Sequence, residues 1–150
     1  MITTDTARRN LDQRLEQLHP TTRFSAPASG WIKAIRQALG MTSGQLAKRL
    51  KIAQPTVIEF EQSELRGTIQ LSTLKRVAEA LDCTVVYALV PKKPLQEAVN
   101  ERARLVARRR LSSVAHTMLL ENQSVPPKEL EAQLDELARS IKPRALWDEP

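Results

Sequence analysis

Between Trp31 and Leu81 the apolar residues recur at intervals of three and four, in four short runs divided by helix-stopping and helix-starting residues. Such a pattern constrains the stretch to a small bundle of short helices. Trp31, Ile32, Ile35, Ala38 and Leu39 make one apolar face, and Gly40 ends that helix. Thr42 is placed to cap a second helix, Ser43–Leu50. A third begins at Gln54-Pro55 and runs to about Gln62. Proline is tolerated there because the first N–H groups of a helix have no partner. The fourth, Leu71–Leu81, carries Leu71, Leu74, Val77, Ala78 and Leu81 at helical spacing. Trp31 is expected in the core.

The flanks read differently. Asp5–Leu18 is a short helix with Leu11, Leu15 and Leu18 on one side, ended at His19-Pro20. Thr21–Gly30 has the composition of a linker. Thr84–Val90 (TVVYALV) is β-branched and aromatic and is closed by Pro91, which predicts a short strand. A lone strand must pair with a second copy, a partner chain or another short segment. From Leu95 to about Glu121 runs a long helix striped by Leu95, Val99, Ala103, Val106, Ala107, Leu111, Val114 and Met118. Pro126-Pro127 breaks it. Lys128–Ile141 forms a last helix with Leu130, Leu134 and Leu137 on one side, followed by the aperiodic tail Arg144–Pro150. The expected domains are a helix and linker over 1–30, a helical core plus strand over 31–90, and a helical extension over 91–150.

Charge narrows the function. The net +6 is uneven: residues 31–90 carry +3, residues 91–110 carry +5, and residues 111–150 carry −3. A basic middle favours phosphate backbones through counterion release, while the acidic end argues against a protein that coats nucleic acid along its whole length. The segment Met1–Asn10 is polar, so a secretory leader is not expected. No apolar run reaches the roughly 18 residues that span a bilayer. One Cys, Cys83, excludes an intramolecular disulfide, and with two His it makes a zinc site of the usual kind improbable; neither metal nor cofactor is expected. Cys83 reads as a small buried hydrophobe. With four Gly and no phosphate-binding loop, and with no nucleophile beside a paired acid and base, an enzyme finds no support. The expected setting is a reducing bacterial cytoplasm.

The segment Gln45–Glu61 (QLAKRLKIAQPTVIEFE) resembles the helix-turn-helix of the phage-repressor-like transcription factors, and the likeness extends over about 31–82. Leu46, Ala47 and Leu50 face inward, the small Ala47 lets the third helix cross closely, Ile52 fills the turn, and Val57, Ile58 and Phe60 anchor the third helix. The resemblance implies an all-α fold built on this core, with one short strand and a C-terminal helical extension. It also implies that the third helix enters the major groove. By position, Gln54, Pro55, Thr56 and Glu59 would face base edges: Gln pairs with adenine, Glu accepts from cytosine, and Pro55 or the Thr56 methyl meets a thymine methyl. Ser43 would touch phosphate, with Lys48, Arg49 and Arg66 adding backbone contacts. The family usually has Gly where Lys51 and Ser63 stand here, which demands strained or rearranged backbone at both.

Near the end of the long helix stands Thr117-Met-Leu-Leu-Glu121-Asn122, whose Thr and Glu are the only Ser/Thr–Glu pair at that spacing in the chain. It resembles the inhibitory motif of proteins that silence Fic AMP-transferases. In those proteins the Glu pairs with the arginine that should seat the ATP γ-phosphate; a carboxylate on that guanidinium excludes the anion. Read without the resemblance, the segment is a helix end with Asn122 as its cap. The helix-turn-helix, the stretch VYALVPK, the basic helix and the LWDE tail together resemble the family called mobile mystery protein A, whose members accompany a Fic-domain mobile mystery protein B. The resemblance implies an antitoxin with two partners. One is operator DNA, bound as a homodimer held through Thr84–Val90 or the C-terminal helices. The other is a Fic toxin, silenced through Thr117, Glu121 and Asn122. A plain dimeric repressor is the alternative. Arg102, Arg104 and Arg108–Arg110 suit flanking DNA or an acidic partner equally.

Overall fold

A computed structural model describes residues 3–120 and 126–148, the side chains of residues 115–120 excepted. These residues form seven α-helices and two 3-10 turns: α1 (Thr4–Glu16), a turn at Thr21–Phe24, α2 (Trp31–Ala38), α3 (Ser43–Leu50), α4 (Gln54–Leu65), α5 (Leu71–Ala80), α6 (Leu95–Leu120), α7 (Pro127–Ser140), and a turn at Pro143–Trp147. They divide into two units, residues 20–89 and the two chain ends, 1–19 with 90–150.

In the central unit Ile32, Leu46, Ala47, Val57, Val77 and Leu81 are buried together, with Ile35, Leu50, Ile52 and Phe60 packed on them. Ala47 is buried where α3 meets α4, the close crossing that its size permits. The capping box on α3 forms in full: Thr42 Oγ1 accepts from the Gln45 N–H and Gln45 Oε1 accepts from the Thr42 N–H. Lys51 has φ 57°, ψ 43°, a left-handed residue closing α3, with the Ile52 N–H bonded to the Ala47 carbonyl. The strain expected at Lys51 is therefore present. At Ser63 it is not: Ser63 lies within α4, and the left-handed turn falls on Gly67 (φ 70°), where glycine adopts it freely.

Two carboxylates of α4 hold α2. Glu61, 6% exposed, receives Arg36 Nε at 2.6 Å and Nη2 at 3.2 Å, and Arg36 Nη1 donates to the Met41 carbonyl. Glu64 accepts from the Trp31 and Ile32 N–H groups at 2.7 and 3.0 Å, capping α2 from another helix. Gly30 makes room for this: a Cβ there would stand 2.9 Å from Glu64 Oε2. Trp31, expected in the core, is 45% exposed; Ile32 fills that place.

The strand expected over Thr84–Val90 is absent, and no strand occurs among the described residues. The segment forms no ladder, because a ladder needs a second edge and the described elements here are helices and turns. Val86, Tyr87 and Leu89 stand 88%, 65% and 83% exposed, with Lys75 Nζ 6.0 Å from the Tyr87 ring centroid.

The unit of the chain ends is organised on α6. Ala103, Val106 and Ala107 of α6 are buried with Leu134 of α7, Ile141, and Leu146 of the last turn. The start of α6 is capped from far away in sequence. Asp12 of α1 accepts from the Leu95 N–H at 2.7 Å and the Gln96 N–H at 3.1 Å, and Arg8 Nε donates to Gln96. Residues 1–19 thus pack with the extension rather than standing apart with the linker. At the ends of the stripes, Val114 and Leu130 are 53% and 43% exposed.

Candidate nucleic-acid interface

Two helix N-termini meet at one end of the central unit. Ser43 opens α3 and Gln54 opens α4, and Gln54 Nε2 donates to Ser43 Oγ at 2.8 Å. Gly44 lies beside this corner, where a Cβ would stand 3.6 Å from Gln54 Oε1, an ordinary contact. The two ends differ in their caps. The first turn of α3 is satisfied internally by Thr42, whereas Ala53 before α4 offers no side-chain acceptor. Pro55 has no N–H and the Thr56 N–H donates to the Ala53 carbonyl at 3.0 Å, so the Gln54 N–H is what the start of α4 can offer to an acceptor outside the helix.

From that corner an exposed face runs along α4. Gln54, Pro55, Ile58, Glu59, Gln62, Leu65 and then Arg66 are exposed, at spacings that keep them on one side. Val57 and Glu61, on the other side, are buried. Of the residues expected at base edges, Gln54, Pro55 and Glu59 lie on the face, while Thr56 is half-buried beside it. Glu59 is engaged with Arg66 Nη2 at 2.5 Å, so one carboxylate and one guanidinium form a surface pair beyond Gln54 along α4. Lys48 is exposed. Arg49 donates from Nη1 to the Ala80 carbonyl at 2.7 Å, closing the end of α5. Its guanidinium thus has a structural task that sequence alone does not reveal.

Ile58, expected as a core anchor, is 43% exposed on the same face as Gln54. The spacing carried the signal: Ile58 is four residues after Gln54 and Gln62 is four after Ile58, so all three share one side.

In the extension, Thr117 belongs to α6 and Glu121 and Asn122 lie outside the described residues. Among the described residues no cluster of ligands suited to a metal ion occurs, and no helix is long and apolar enough to cross a membrane.

Residues 32–87 match the family model of the helix-turn-helix. No curated protein and no solved structure was found to match the chain. The matched stretch spans α2 to α5 and ends within the exposed segment at Tyr87. It is a helix-turn-helix domain, the DNA-binding kind that serves in regulation.

Proposed function

We propose that this chain is an operator-binding regulator that reads DNA with the exposed face of α4. The observation that carries this is the Ser43–Gln54 corner, where a polar side chain able to contact an adenine edge is held at the uncapped start of the helix. A Gln pinned by a neighbour loses less side-chain entropy on binding than a free one. Ile58 adds an apolar contact suited to a thymine methyl. Glu59 and Arg66 act as a pair: releasing Arg66 to phosphate frees Glu59 to accept from cytosine. Two copies bind together, with the exposed Val86, Tyr87 and Leu89 as their contact. Gln54→Ala weakens binding to the DNA upstream of the chain's own coding sequence by about 1–3 kcal/mol and relaxes one base position. Fluorescence anisotropy measures it; unchanged affinity removes Gln54 from the readout. Leu89→Asp yields monomers in light scattering, and a dimeric variant would place the contact elsewhere.

The finer reading is that of an antitoxin of the mobile mystery protein A kind. Its support is the spacing Thr117-x-x-x-Glu121-Asn122, which begins on a helix, α6. On this reading Glu121 pairs with the γ-phosphate arginine of a Fic-domain partner. The test is AMP transfer by a neighbouring Fic protein co-purified with wild-type chain or with Glu121→Gly. A complex that still forms and now transfers AMP supports the antitoxin. Complexes that are equally silent, or no complex at all, leave the plain repressor.

A further inference from the structure

An open groove of about 610 Å³ runs along α6 within the unit of the chain ends. Its construction is specific. Leu146 is 1% exposed and anchors the last turn in the core, and Arg102 Nε donates to the Leu146 carbonyl at 2.8 Å. The Arg102 guanidinium lies 5.8 Å from the Trp147 ring centroid, which steadies the indole while 61% of it stays in solvent. Trp147 and Leu105 (39% exposed) give the groove an apolar floor, and Lys93, Arg104 and Arg108 give it a cationic rim. One anion, Glu101, lines it and is paired with Lys93.

We propose that this groove docks an acidic amphipathic helix of a partner protein. The chain itself displays the recognition mode. Arg104 sits between Glu131 and Asp135 of α7, at 3.2 and 3.3 Å, two carboxylates four residues apart on one helix face. Arg108 lies one turn further along α6, and among the described residues it has no ion-pair partner. A second acidic helix repeats at Arg108 what α7 does at Arg104, while its apolar side chains cover Leu105 and Trp147. Duplex DNA fits less well, because its backbone offers nothing apolar to the floor of Trp147 and Leu105. This inference rests on the groove alone; its failure leaves the DNA reading intact, and it holds whatever the partner's identity.

The test uses the full chain carrying Trp31→Phe, which leaves Trp147 as the sole tryptophan. The probe is a fluorescein-labelled helical peptide of about sixteen residues, with Glu pairs four apart and Leu on one side. Its controls are the same peptide with Gln for Glu, and an oligo-dT strand. The acidic peptide is expected to bind and to shift Trp147 emission to the blue. The Gln peptide, or Arg108→Glu in the chain, should weaken binding by about ten-fold, with the circular dichroism spectrum unchanged. Arg108→Lys should retain most of it. Equal binding of the two peptides, tighter binding of oligo-dT that Arg108→Glu abolishes, unchanged Trp147 emission or indifference of the acidic peptide to Arg108→Glu would each overturn the proposal.

Discussion

The two units solve one problem, fixing helices against each other, by opposite means. The helix-turn-helix unit closes over short sequence distances, with Arg36 on Glu61 and Glu64 on the start of α2. The unit of the chain ends closes over long ones, with Asp12 capping a helix that begins at Leu95. Polar groups also serve differently. In the first unit a nearly buried pair, Arg36 on Glu61, ties α2 to α4. In the second, Arg102 of α6 is half-buried against the tail, while Arg104 and Arg108 stand exposed, Arg104 on carboxylates of α7. The lesson is that the central unit is built to hold one face still, whereas α6 carries charge that remains usable. A reading helix needs the former, since base contacts tolerate little displacement.

Each unit holds one tryptophan, Trp31 or Trp147, so the comparison can be broken one side at a time. The largest effect is expected from Glu61→Ala, which leaves the nearly buried Arg36 without its carboxylate and costs about 3 kcal/mol. Urea unfolding followed at Trp31, in a Trp147→Phe background, measures it. A loss below about 1 kcal/mol, the value of a surface pair, would mean that Glu61 does not position α4. Next comes Asp12→Ala, which removes the cap of α6 and costs about 1–2 kcal/mol at Trp147. DNA affinity should not change, and a parallel loss of DNA binding would erase the division of labour. The smallest effect is a gain: Lys51→Gly relieves a left-handed lysine and stabilises the Trp31 unit by roughly 0.5–1 kcal/mol. A destabilised glycine variant would show that Lys51 earns its place by contacts the backbone does not reveal.

The helix-turn-helix was legible because its signals are local. Helical periodicity, Thr42 three residues before Gln45, and Pro55 at a helix start each act within a turn or two. Arg36 and Glu61, 25 residues apart, look in sequence like ordinary surface charges, and only their burial shows the pair. Asp12 is harder still, 83 residues from its partner with a whole unit between. Ile58 was misplaced by its chemistry: an isoleucine suggests a core, but its position four residues after Gln54 puts it on the exposed face. The segment TVVYALV misled in the same way, since β-branched side chains favour extended backbone but do not supply the second edge that makes a strand. For the candidate interface, Gln54, Pro55 and Glu59 could be placed from the family resemblance. The hydrogen bond to Ser43 and the diversion of Arg49 to α5 could not, because both depend on how helices cross.

The central claim, that α4 reads base sequence, is tested most directly by selecting bound duplexes from a random DNA library with the full chain and with Gln54→Ala. The account predicts an enriched motif with two half-sites about one helical turn apart, as a pair of copies requires. In the variant, preference should be lost at one position in each half-site while the others persist. A library that emerges without an enriched sequence, or a motif identical for both proteins, would contradict it.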